Sequence, residues 1–231
     1  MAVFPRAIGD KRSVSRHREP AFNIAEPAPV WFAGLLVVLF PLIMMTPLGR
    51  SETLGSLLVL RPIPYLEGLG WLSTIGHAFA HTSWSHVLLN SAFLVIFSVP
   101  TLRALRARSV RQGRGGQVTR PWLAIFFLAV VVGAVAQWLW WGLAGATGLE
   151  DLSRVSAIGA SGGVSGLFAT AGYAMGGSDM MKRFGLAWVV LNAVMAVFGF
   201  AGESIAWAAH LGGFAGGMLM APRMLQPGFS R

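Results

Sequence analysis

The sequence predicts an all-α membrane protein: six transmembrane helices with both termini cytoplasmic. Three observations carry this expectation. The 231-residue chain is 55% hydrophobic and only 12% charged, with a mean hydropathy of +0.62, which is too apolar for a soluble domain. Six segments, roughly 29–48, 84–100, 121–145, 159–177, 184–201 and 204–222, approach or reach the apolar length of about 20 residues that a bilayer demands. The basic residues also fall on alternate sides of these segments.

Five of the 18 Lys and Arg lie in the N-terminal tail, six between segments two and three, two after segment four and two after segment six. Only Arg50, Arg61 and Arg154 fall in the other loops. This distribution obeys the positive-inside rule for six spans. It also accounts for the net charge of +9 as a topology signal, which argues against a nucleic-acid partner.

The chain reads as one polytopic domain over residues 29–225, preceded by a disordered basic cytoplasmic tail (1–28) and followed by a short tail (226–231). The N-terminal tail lacks the short apolar stretch and cleavage site of a signal peptide, so it is expected to stay in place. Segment one, apolar all round, reads as a lipid-facing scaffold. The external loop from Gly49 to Gly76 is apolar enough to lie half-buried in the membrane interface. The Arg- and Gly-rich stretch from Thr101 to Arg120 reads as a flexible cytoplasmic loop. The Trp-rich end of segment three, Q-W-L-W-W, reads as an interfacial belt. There is no cysteine, and hence neither disulfide nor thiol chemistry. No repeat of fixed period is found, which counts against a transporter built from duplicated halves.

Polar residues at membrane depth are costly and therefore functional candidates by default. Three groups stand out: His77, His81, His86 and Asn90 around the start of segment two, Ser161 and Ser165 in G-A-S-G-G-V-S-G at the start of segment four, and His210 in segment six. All three segments enter from the same side. At 1.5 Å per residue, Ser161 lies roughly 3 Å and His210 roughly 9 Å inside its segment, so both belong to the outer half. His86 and Asn90, at i and i+4, share one helix face.

G-x-x-x-G spacings at Gly159/Gly163, Gly162/Gly166, Gly212/Gly216 and Gly213/Gly217 predict close packing of segment four on segment six. That contact brings Ser161 to His210, and a serine within hydrogen-bonding reach of a histidine is the minimal activated nucleophile. Gly163-Val164-Ser165-Gly166 fits the same serine pattern one turn on, so helical periodicity leaves Ser161 and Ser165 on one face. Small residues five and eight positions after Ser161, Gly166 and Ala169, favour Ser161, because the same offsets from Ser165 give Thr170 and Tyr173.

These three motifs, in this order, resemble the rhomboid family of intramembrane serine proteases: the histidine/asparagine cluster His77/His81/His86/Asn90, then Gly159-Ala160-Ser161-Gly162, then Ala209-His210-Leu211-Gly212-Gly213 with Gly217. The resemblance spans about Trp31 to Met224. It implies a rhomboid-type six-helix bundle and a serine endopeptidase that needs no cofactor or metal, with Ser161 as nucleophile and His210 as general base. His86 and Asn90, with the Ser161 backbone N–H, would form the oxyanion hole. His77 and His81 would organise the outer loop and the site's mouth, and Gly159, Gly162, Gly213 and Gly217 would permit the close packing.

No acidic residue falls inside segments two, four or six, so the expected machinery is a Ser/His dyad. The implied substrates are single-span membrane proteins in the lipid bilayer, cut near the outer face where a helix is unstable. The implied entry route passes segment five and the cap at Gly202-Glu203, and the implied location is a bacterial plasma membrane. The rival reading is a catalytically inactive rhomboid-like protein that binds membrane clients.

Two positions depart from the family pattern. Trp71-Leu72-Ser73 stands where Trp-Arg is common. Ser165 stands where an aromatic residue commonly supports the histidine, which leaves the histidine held by something else, with Phe168 and Tyr173 as candidates, or held more loosely. A metal at His77 and His81 is disfavoured by the lack of an intervening glutamate. Asn192 and Gln137 read as helix–helix hydrogen-bonding amides.

Overall fold

The computed structural model describes residues 26–47, 51–198 and 205–225. The predicted N-terminal tail up to residue 25, the cap at Gly202-Glu203 and the tail 226–231 lie outside the described residues. The described residues form seven α-helices: α1 Ala28–Met44, α2 Glu52–Leu58, α3 Ser73–Gly76, α4 Trp84–Arg111, α5 Thr119–Ala146, α6 Ser161–Phe198 and α7 Trp207–Met224. The described residues contain no strand, only a single antiparallel bridge between Leu60 and Ala157. Helices α4, α5 and α6 are long and apolar enough to cross a membrane.

Helix α1 buries one stripe, Pro29, Ala33, Leu36 and Phe40, at the three-to-four-residue spacing of a single helix face. The rest of it is largely exposed apolar surface, including Trp31, Leu35, Val38 and Leu42. Such a helix is stable where lipid covers the other faces.

Helix α4 starts at Ser83, whose hydroxyl accepts the His86 backbone N–H at 3.2 Å in an ordinary N-cap. It then runs to Arg111, eleven residues beyond the predicted span end. The expected flexible loop at Thr101 is therefore helix for its first half. Thr101, Leu102, Ala104, Leu105 and Ser109 recur as a buried face there, and packing outweighs the arginines on the other side. Polar contacts bind α4 to its neighbours: Trp122 Nε1 donates to Ser98 Oγ at 2.8 Å, and Thr101 and Thr170 share a 2.9 Å hydroxyl contact.

The stretch between predicted segments four and five is not a loop either. Helix α6 continues through it, interrupted only at Gly176 and Gly177, the latter at φ 66°. A straight helix would place Phe168 and Trp188 about 30 Å apart, yet their rings lie 5.3 Å apart, and Gly172 packs against Met181 and Phe184. The chain thus reverses at the glycine pair, and the two halves of α6 lie antiparallel. Gly177 permits this because its left-handed backbone is closed to most L side chains.

The Trp-rich end of α5 pins loops. Trp138 Nε1 donates to the Arg61 carbonyl at 2.8 Å and Trp140 Nε1 to Glu150 Oε1 at 3.0 Å. Trp141 is buried with Leu60, Ala134 and Ala157. The predicted belt is in this respect a set of anchors for the loops around residues 61 and 150–157.

Candidate active site

The three polar groups singled out in the sequence converge at one end of the bundle. Ser161 is the first residue of α6, so its backbone N–H is one of the four with no intrahelical acceptor. Its Oγ lies 2.8 Å from His210 Nε2 on α7, and both residues are half-buried. Ser165, one turn on, is fully buried, and its Oγ donates instead to the Ser161 carbonyl at 2.7 Å. The geometry therefore brings Ser161, rather than Ser165, to the histidine.

Small residues make this approach possible. A Cβ added at Gly213 would overlap the Gly162 carbonyl, and one at Gly217 would strike the Gly166 carbonyl and the Ala169 side chain. These are the small positions five and eight after Ser161. The neighbouring pair divides differently from the expectation that all these glycines serve one seam. Gly212 faces Ala136 and Val132 of α5, and Gly216 faces Val132 and Ala129. Helix α7 thus carries two glycine faces, one for each partner.

A second partner sets the depth of α7. Its N-cap, Ala206, offers no side-chain acceptor, and Gln137 of α5 supplies one, its Oε1 accepting the Ala209 N–H at 3.1 Å. The adjacent residue is His210. The reading of Gln137 as an interhelical amide holds, with this added consequence for the histidine.

His86 and Asn90 stand over the turn that leads into Ser161. An ideal Cβ on Gly159 would lie 2.7 Å from His86 Nε2 and 3.9 Å from Asn90 Nδ2, and Gly159 has φ 120°. Both facts call for glycine there. His86 Nδ1 lies 2.9 Å from Thr82 Oγ1 and 3.5 Å from the Thr82 backbone nitrogen, and its Nε2 faces the turn. Asn90 is buried, with Nδ2 donating to the His86 carbonyl at 3.0 Å.

His77 and His81 brace the same turn from the loop side. The Gly159 N–H donates to the His77 carbonyl at 2.8 Å, and the Ala160 N–H to His81 Nε2 at 3.4 Å. His77 Nδ1 donates to the Ser73 carbonyl at 2.7 Å. Burial pushes His77 down to about 4, partly offset by its backbone hydrogen bonds. Burial, and then the charge of His86, pushes His81 down to about 3. Both rings are thus neutral at physiological pH. Each commits a ring nitrogen to the backbone, and among the described residues no group of three metal-ligating side chains occurs.

A model of the rhomboid domain matches residues 69–227. The chain belongs to the rhomboid family. Membership makes it a membrane-embedded intramembrane protease or rhomboid-like protein. No curated protein matches the chain. The match begins at position 69, so α1 and α2 lie outside it, a shorter reach than the Trp31-to-Met224 span the motifs suggest.

Within this rhomboid domain the support of His210 differs from both candidates drawn from sequence. Among the described residues, no ring contact joins Phe168 or Tyr173 to the imidazole. Trp188, on the second half of α6, has its ring 5.9 Å from that of His210, and its Nε1 donates to the His210 carbonyl at 3.4 Å. Phe168 stands behind Trp188, among Phe97, Phe184 and Phe214. Asn192, one turn beyond Trp188, has its Oδ1 2.8 Å from His210 Nδ1. Sequence reasoning took Asn192 for an interhelical amide. It is one, but its partner is the histidine of the site, and no spacing in the sequence marks that partner.

Proposed function

We propose that this rhomboid is an active intramembrane serine endopeptidase, with six spans and both termini cytoplasmic, in a bacterial plasma membrane. Its substrates are single-span membrane proteins cut near the outer face. The observation that carries this reading is the 2.8 Å contact between Ser161 Oγ and His210 Nε2. The six-span topology rests on the reversal within α6, which makes six long helical segments of α1, α4, α5, the two halves of α6, and α7, and on the charge distribution.

The chemistry follows from these groups. His210 Nε2 takes the Ser161 hydroxyl proton as Oγ attacks a substrate peptide carbonyl. The developing oxyanion is held by the Ser161 N–H, His86 Nε2–H and the free hydrogen of Asn90 Nδ2, donors fixed before reaction by Thr82, the α4 backbone and Gly159. The imidazolium then protonates the leaving amine, and the acyl group stays on Ser161. Water, with His210 again as base, releases the acid and restores the serine. The substrate must present an unwound carbonyl, because a regular helix engages its carbonyls in hydrogen bonds. Small or helix-breaking residues are therefore expected at the cut.

Purified protein in proteoliposomes, given a model transmembrane substrate, tests the reading beside Ser161→Ala, Ser165→Ala and His210→Ala. Cleavage lost in the first and third variants and kept in Ser165→Ala is the expected result. A wild type that cleaves nothing and takes no fluorophosphonate label would leave the client-binding reading. Label on Ser165 would overturn the serine assignment.

A further inference from the structure

From Lys182 to the end of the described part of α6 at Phe198, one residue is buried, and it is Asn192, 2% exposed. Around it Leu186, Val189, Val190, Leu191, Val194 and Val197 are exposed. A half-helix with apolar surface on every side gains little from burying a lone amide, so the seat of Asn192 is set by its partner. The amide is also oriented. Nδ2 donates to the Trp188 carbonyl at 2.8 Å, which turns Oδ1 toward His210. An amide oxygen only accepts, so His210 Nδ1 must carry the ring proton. Nε2 is then bare and able to accept from Ser161.

We infer that Asn192 is the positioning residue of His210, holding the imidazole in the tautomer and orientation that Ser161 requires. This deepens the proposed function and rests on it. It also explains how the chain tolerates serine at position 165. Support for the ring comes from the second half of α6, by Asn192 at its edge and Trp188 beside it, instead of from the first half. The reactive pair is then complete only while that half-helix is seated on α7.

Two readouts test this. In protein with 15N-labelled histidine, of which the chain has five, His210 is expected to be protonated at Nδ1 alone. Asn192→Leu, of similar size with no acceptor, should give a mixture of tautomers and a kcat lower by about tenfold to a hundredfold at nearly unchanged KM. Asn192→Asp, which keeps an acceptor, should restore the tautomer and most of kcat. A folded Asn192→Leu with wild-type kcat and tautomer would overturn the inference. If Asn192→Leu does not fold, Asn192→Asp decides by the same two readouts. If the wild type is inactive, the serine reading fails on its own and the tautomer still tests the contact.

An independent observation lies at the opposite end of the bundle. A cleft of about 820 Å³ is formed by the end of α4, the start of α5 and the end of α7. Among the described residues, Arg106, Arg108, Arg114, Arg120 and Arg223 line it, with Glu26 as the one acid. Arg106 reaches Glu26 at 3.8 Å and Arg108 donates to the Arg223 carbonyl, while the Arg114 and Arg120 side chains have no partner among the described residues. The N-cap of α5, Val118, provides no side-chain acceptor, so the positive end of a 28-residue helix opens here. On the cleft wall, Ser109 is 7% exposed, and its hydroxyl has no partner.

We propose that this cleft binds the phosphodiester headgroup of an anionic phospholipid. The 28 residues of α4 extend about 42 Å, beyond a hydrocarbon core of about 30 Å, so its arginine-bearing end reaches the headgroup layer. An anion there meets unpaired guanidinium groups, free amides and a free hydroxyl.

Delipidated protein in neutral detergent, titrated with phosphatidylglycerol, phosphatidylcholine and inorganic phosphate, tests it. Phosphatidylglycerol should bind at least about tenfold tighter than phosphatidylcholine, and Arg114→Gln with Arg120→Gln should weaken it about tenfold or more. Arg154→Gln, far from the cleft and paired with Asp151 at 3.1 Å, should leave binding unchanged. Equal binding of the two lipids, or no effect of the double substitution, would overturn the proposal. Inorganic phosphate binding as tightly as the lipid would show that the occupant is a free anion.

Discussion

Gln137 Oε1 accepts the Ala209 N–H at 3.1 Å, so a buried side chain of α5 caps the helix whose fourth residue is His210. Gln137→Leu leaves that amide buried and unpaired, a cost of about 1–3 kcal/mol. The expected outcome is a lower thermal midpoint, together with slower fluorophosphonate labelling because α7 loses its register. Gln137→Glu, which keeps an acceptor, should recover part of both. Differential scanning fluorimetry and a labelling time course read the two effects.

The approach of Gly217 to Gly166 has no room for a side chain. Gly217→Val forces α6 and α7 apart at a close contact, at a cost of about 1–3 kcal/mol or more. Loss of cleavage with retained helical circular dichroism is expected. By contrast Gly142, with nothing within 4 Å of an added Cβ, should accept alanine without loss.

Gly159 combines φ 120° with the imidazole of His86 where a Cβ would stand. Gly159→Ala therefore displaces His86 or the turn beneath it. Its effect should approach that of His86→Ala, a kcat lower by about a hundredfold, as for an oxyanion donor removed. Equal kcat in Gly159→Ala and wild type would count against His86 as a donor.

His77 and His81 are buried neutral, with values near 4 and 3 against an ordinary 6.5. Between pH 6.5 and about 4 the unfolded chain binds protons that the folded chain does not. Stability is then full above pH 6.5 and lost as the pH falls toward 4. Thermal midpoints measured from pH 8 to pH 4 should fall over this window, and His77→Gln should flatten the fall.

Much of the candidate site was legible before the fold was known, for a physical reason. Polar groups are so costly at membrane depth that Ser161, His210, His86 and Asn90 stand out against an apolar chain. The G-x-x-x-G spacing announces close packing, and the offsets to Gly166 and Ala169 indicate which serine lies at the seam. What spacing could not reveal was the partner of each glycine face, because Gly212 and Gly213 are adjacent in the chain yet point to different helices.

The sequence by itself determined the all-α class, the apolar segments and the rhomboid motifs, since each depends on composition and on short-range periodicity. Tertiary structure alone decided what holds the histidine. Asn192 and His210 are 18 residues apart on different helices, and their 2.8 Å contact exists only because the chain reverses at Gly176 and Gly177 and α7 is seated by Gln137. An amide in an apolar helix looks the same in sequence whether it bonds a neighbouring backbone or a reactive imidazole. Only the packing of three helices assigns it a partner.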